Sequence, residues 1–131
     1  MRVSVLVAVL TALGLAGGQI RAQISDGIVK IGVLSDESGP YATLAGPGSR
    51  VAALMAVEDF GAAAKGMRVE VVFADHQNKP DVGVKVAVRW YDAEQVDVIV
   101  DVPTSSVALA INQVAREKAR ALLVSTGPAR I

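Results

Sequence analysis

Val96-Asp97-Val98-Ile99-Val100-Asp101-Val102, then Pro103-Thr104-Ser105-Ser106, then Val107-Ala108-Leu109-Ala110-Ile111, is the stretch on which the fold turns. The first run is short and rich in β-branched residues, as expected of a strand buried between layers. A four-residue polar loop follows. A helix is then expected over residues 106–118, with Val107, Ala110, Ile111, Val114 and Ala115 on its inward stripe. Residues 121–125 (Ala-Leu-Leu-Val-Ser) supply another short apolar run. Strand, crossover helix and strand in this order make a parallel unit.

The same alternation extends towards the N-terminus. Residues 28–34 read as a strand bounded by Asp26-Gly27 and Ser35-Asp36, and residues 35–48 form a loop rich in Gly, Ser and Pro. Ala53, Ala56, Val57, Phe60 and Ala64 recur at helical spacing, which predicts a helix over 49–64 ended by Lys65-Gly66. A strand is expected over 67–74 and a polar turn over 75–80. Pro80 then opens a helix to Asp92, whose stripe is Gly83, Val86, Ala87, Trp90 and Tyr91. The whole reads as β-α-β-α-β-α-β: an α/β fold with a doubly wound parallel sheet.

Residues 1–22 are expected to be a signal peptide. Met1-Arg2 is a charged start, residues 3–16 are uncharged and mostly apolar, and Ala16-Gly17-Gly18 and Ala22 are small. The run is short for a spanning helix, which needs about 20 residues. Cleavage after Ala22 or after Gly18 both fit. Removing Arg2 and Arg21 would turn a chain of 13 basic and 13 acidic groups slightly acidic. That balance offers no basic face to nucleic acid. With no cysteine, disulfides, thiolate metal sites and cysteine nucleophiles are excluded. Apolar residues are 52% of the 131 and aromatics only 4%, so the core has to be built from Val, Ala, Leu and Ile.

In an open parallel sheet, ligands sit beyond the carboxyl ends of the strands. The segments there are 35–48, 75–79, 103–106 and 126–129. Ser105 and Ser106 fall at a helix start, where free amides and the dipole favour a small anion; a serine there also serves as a plain N-cap. Thr126-Gly127 could complete such a pocket or form an ordinary turn. Tyr41 could wall a ligand or anchor its loop. His76, the single histidine, reads as a hydrogen-bonded turn residue, with no second metal ligand at useful spacing. Gly46-Pro47-Gly48 lacks the third glycine of a dinucleotide fingerprint and begins well after its strand. No phosphate-binding loop and no Gly-x-Ser-x-Gly elbow occurs, which weighs against the alternative of a small Rossmann-like enzyme. A response-regulator-like signalling domain could use Asp36 and Asp75, but an export signal argues against it.

Taken together, residues 28–34, Ser38-Gly39-Pro40, and a helix with Ala53 and Ala56 ahead of Glu58-Asp59 resemble the opening of the branched-chain amino-acid (leucine/isoleucine/valine-type) periplasmic solute-binding proteins. Asp75 with Pro80 five residues on, the run from Asp101 to Ala108, and Val124-Ser125-Thr126-Gly127 extend the likeness over about residues 23–125. Two of these runs, 75–81 and 102–106, are similar to those of receptors that take aromatic or other carboxylates.

The resemblance implies the first part of lobe one of a type I periplasmic binding protein fold, here residues 23–131, in a two-lobed receptor that closes on its ligand. It implies a periplasmic, monomeric binding component of an ABC importer, with no catalytic residue, cofactor, metal or nucleic acid. The ligand would be an amino acid or a related small carboxylate or amide, passed to permease subunits in the inner membrane. By position, Ser105, Ser106, Thr126 and Gly127 would hold the ligand carboxylate, with Tyr41 near the cleft. Family members are much longer, and Pro128-Ala129-Arg130-Ile131 departs from their pattern. The chain is therefore expected to be a partial lobe, with an unpaired sheet edge and uncovered apolar surface.

Overall fold

The computed structural model describes residues 27–124. Strands and helices alternate as β1 (Ile28–Ser35), α1 (Gly46–Phe60), β2 (Arg68–Asp75), α2 (Pro80–Asp92), β3 (Val98–Asp101), α3 (Ser105–Glu117) and β4 (Ala121–Val124), with a 3₁₀ turn at Ala62–Lys65. All strand pairs are parallel, in the order β2-β1-β3-β4. The doubly wound α/β reading therefore holds. The signal-peptide reading of residues 1–22 and the site residues Thr126 and Gly127 lie outside the described residues.

The order places the switch in winding at β1. The chain leaves β1 for β2 on one side, then returns past β1 to β3 and β4 on the other. Helix α1 consequently packs on one face of the sheet, and α2 and α3 pack together on the opposite face. On the α2/α3 face, Leu34, Ile99, Trp90, Ile111 and Val107 are fully buried or nearly so. Gly32 makes room for the indole: a Cβ there would lie 2.5 Å from Trp90 Cζ3. Tyr91 Oη donates to Ala121 O at 2.9 Å, tying α2 to the start of β4, and burial pushes its phenol up to about 12.

Several elements depart from the sequence reading. Helix α1 starts at Gly46 and stops at Phe60, because Gly61 takes the left-handed conformation and donates its N–H to Glu58 O. The remaining turn, Ala62–Lys65, is 3₁₀, so Ala64 is not on the α1 stripe. Strand β3 spans Val98–Asp101 rather than residues 96–102; at its far end Asp101 and Val102 turn to φ 80° and 52°. On α3, Ala108 is fully buried and Ala110 only half-buried, the reverse of the expected stripe at that position. On α2 the stripe holds: Gly83, Ala87, Trp90 and Tyr91 are all buried.

Candidate functional site

At the switch point two loops leave neighbouring strands at the carboxyl edge: residues 36–45 after β1 and residues 102–104 after β3. Two carboxylates build the first loop. Asp36 is fully buried and accepts the N–H of Gly39 through Oδ1 and that of Tyr41 through Oδ2, each at 2.9 Å. Such charge-assisted bonds are about twice as strong as neutral ones. Gly39 is required beside it, since a methyl there would overlap the Asp36 carboxylate. Asp75, at the end of β2, accepts the N–H of Glu37 at 3.0 Å and of Gln77 at 2.7 Å, and the Ser38 hydroxyl at 2.5 Å. Partial burial pushes the Asp75 carboxyl up, but the Ser38, Gln77 and Glu37 bonds, helped by the His76 field, hold it below the usual carboxylate range. Ser38-Gly39-Pro40 is thus a loop folded around two acids.

Tyr41 rides on this loop. Its N–H is held by Asp36 and its carbonyl accepts from Leu44 and Ala45, while its side chain is left 39% exposed. The backbone, not a packed ring, is therefore what anchors the loop.

The second loop carries strain. Left-handed φ at a β-branched residue such as Val102 costs of order 1–3 kcal/mol. The turn brings Val102 N–H onto Leu34 O at 3.1 Å and delivers the chain into α3. Thr104, rather than either serine, is the N-cap residue, and it makes no side-chain cap bond. Its Oγ1 is buried without a protein hydrogen-bond partner, as are Ser35 Oγ and Asp101 Oδ2 nearby in the chain topology. Ser105 is half-buried at the first position of α3 and Ser106 is exposed at the second. The N-capping role open to the serines at the sequence level is therefore not theirs. Described β4 ends at Val124, paired with Asp101, beside the same edge.

The sequence reading weighed Asp36 and Asp75 as functional residues only for a signalling domain and did not single out Thr104. Asp36 sits three residues before a glycine in a Ser-Gly-Pro loop, a spacing that suits a side chain capping its own loop. Among the described residues, no group of three or more His, Cys, Asp or Glu is placed to hold a metal ion. None of the described helices is long and apolar enough to cross a membrane.

Comparison with known proteins agrees with this architecture. A periplasmic binding protein from Burkholderia mallei superposes with a TM-score of 0.72 at 43% identity, over 77% of this chain and 27% of its own. The branched-chain amino acid transporter substrate-binding protein LivJ of Streptococcus pneumoniae, in complex with isoleucine, matches at 0.70 and 25% identity, over 78% and 30%. A solute-binding protein of an ABC transporter from R. palustris, in complex with benzoate, matches at 0.65 and 26%, over 74% and 27%. None of the curated proteins matches significantly. The chain thus spans between a quarter and a third of the length of these relatives. The periplasmic binding protein family model matches residues 28–130, carrying the likeness beyond β4 into the tail that the sequence reading set apart. Family model, strand order and solved relatives agree: the chain belongs to the periplasmic binding protein family of the branched-chain amino-acid type.

Proposed function

We propose that this chain supplies the first part of lobe one of an exported, periplasmic receptor for an ABC importer, and that it binds a small carboxylate without catalysis. What supports the reading is the family match over residues 28–130, together with the pairing of β1 with β3, which lets the Tyr41 loop and the start of α3 leave neighbouring strand ends. Thr104 Oγ1, at the residue before α3, lies buried with no protein partner. Ser105 and Ser106 would present the helix-start amides and a hydroxyl to the carboxylate, Tyr41 would close over its apolar body, and Thr126 and Gly127 would complete the rim. Residues 1–22 would serve as the export signal. Isoleucine and benzoate, held by two of the relatives, bracket the ligand class: an amino acid or an aromatic carboxylate. Permease subunits in the inner membrane are the corresponding partners.

The test is a thermal-shift and calorimetric titration of the full chain with isoleucine and benzoate. A ligand that binds only the folded state, at a hundredfold excess over its Kd, stabilises by about 2.7 kcal/mol. The expected outcome is a shift with one of the two, lost in Ser105→Ala. A cooperative transition that neither ligand moves would count against binding by this chain.

A further inference from the structure

We infer that His76 is a proton-operated latch on the turn between β2 and α2: its neutral ring holds the turn closed, and a second proton releases it. The turn is built on residues 76–79. His76 N–H donates to Ser35 O at 2.9 Å, and Lys79 N–H donates back to His76 O at 2.8 Å. Between them Gln77 and Asn78 both adopt left-handed φ, 54° and 56°. For non-glycine residues this conformation costs roughly 1–2 kcal/mol each, so something must hold it. What the geometry provides is the imidazole: Asn78 N–H donates to His76 Nδ1 at 3.0 Å. Lys79 O in turn accepts from Gly83 N–H at 3.0 Å and begins α2.

That bond fixes the ring chemistry. An Nδ1 that accepts carries no hydrogen, so the neutral ring holds its proton on Nε2. Taking up a proton at Nδ1 would set N–H against N–H, and the Asn78 bond must break. The ring is shielded from bulk solvent: His76 is fully buried, and its Nε2 has no protein partner. Apolar walls close one side of it. A Cβ on Gly83 of α2 would lie 2.6 Å from Val107 Cγ1 and 3.3 Å from Ile111 Cδ1 of α3, and 3.7 Å from His76 Cβ. The charged groups acting on the ring are Asp36 after β1, Asp75 on β2 and Asp101 on β3. Burial pushes the imidazole below its usual range, and the three carboxylates oppose that without overcoming it. Closed, the turn excludes the cation. Once opened to water, the same three acids welcome it, which gives the turn two states.

The sign follows from linkage. A histidine depressed in the fold contributes stability above its ordinary value of about 6.5, and loses it as pH falls from there towards the folded value. Because the chain has one histidine, its ring resonances need no assignment by mutation. The experiment is a nuclear magnetic resonance titration of the 15N-labelled full chain from pH 8 to 5, with amide exchange corrected for its intrinsic pH dependence. The ring is expected to titrate below about 6.5, with its proton on Nε2 at high pH. Corrected exchange at the Asn78 amide should rise about tenfold as the ring charges, the effect of losing one hydrogen bond. In His76→Asn the carboxamide oxygen can accept from Asn78 but cannot titrate, so exchange should stay flat with pH. A ring titrating at or above about 6.5, or an Asn78 amide indifferent to it, overturns the latch. So does a His76→Asn variant that keeps the pH dependence. Should that variant fail to fold, the wild-type titration decides alone.

Discussion

Both faces of the sheet carry helices, yet only one is a core. On the α2/α3 face the stripe residues Ala87, Trp90 and Ile111 lie at or below 1% exposure. On the α1 face the corresponding stripe, Ala53, Ala56, Val57 and Phe60, borders an apolar cavity of about 560 Å³ rather than a filled interior. Phe60 is 48% exposed, and Leu123 of the edge strand β4 is 62% exposed. The opposite side of α1 is apolar too, with Val51, Leu54 and Met55 outward. A helix with apolar residues on both its faces has more apolar surface than one sheet face can cover. The difference teaches that spacing sets which residues face the sheet, while burial depends on how many elements arrive to cover it. Two helices share one face; one helix serves the other.

The largest effect that would break this contrast is at Trp90. Its replacement by alanine removes the biggest fully buried side chain and leaves Gly32 facing a void. The expected cost is about 3–5 kcal/mol, enough to abolish the cooperative transition followed by circular dichroism. A loss below about 1 kcal/mol would mean that the α2/α3 face is no better packed than the other.

A smaller effect belongs to the loop edge that joins the faces. Asp75→Asn leaves an acceptor for the Glu37 and Gln77 amides but removes the charge that strengthens them and the acceptor for Ser38. A cost of about 1–2 kcal/mol is expected at neutral pH. The carboxyl is held below its usual range in the fold, so its contribution is present above the usual value and lost as pH falls through the folded one. The stability difference between wild type and variant should therefore shrink as pH falls below about 4, as chemical denaturation would record. A constant difference would assign the loss to packing instead.

Much of this was legible in the sequence. The order of strands and helices followed from the periods of residues 28–34, 80–92 and 96–118, because each apolar run sits between Gly, Pro or polar breaks. The α2 stripe was readable for the same reason. The end of α1 was not, because Gly61 and Gly66 are equally good stops and only the backbone conformation chooses between them. The turn at Asp101-Val102 had no signal either: left-handed φ at valine is a tertiary effect that local preference opposes. At the site, Ser105 and Ser106 were rightly placed at a helix start, but the N-cap fell on Thr104, one residue earlier than the serines suggested. Asp36 and Asp75 were legible only as acids at strand ends; what sets these two apart is the amides they gather, which a sequence does not display.

The smallest predicted effect is the sharpest probe of the comparison. Phe60 is as large as a core residue and lies on the sheet-facing stripe, but its ring is half in solvent, with Lys65 Nζ 4.5 Å from its centroid. Truncation to alanine gives up partial burial and one exposed cation–π contact, which together suggest a cost below about 1 kcal/mol. The same substitution in a filled core would cost about 3–5 kcal/mol. Denaturation of Phe60→Ala at two protein concentrations separates the cases. A small, concentration-independent loss matches a face left open in the free chain. A core-sized loss that grows with concentration would mean that copies of the chain cover this face in solution, since only an associating surface makes stability depend on concentration.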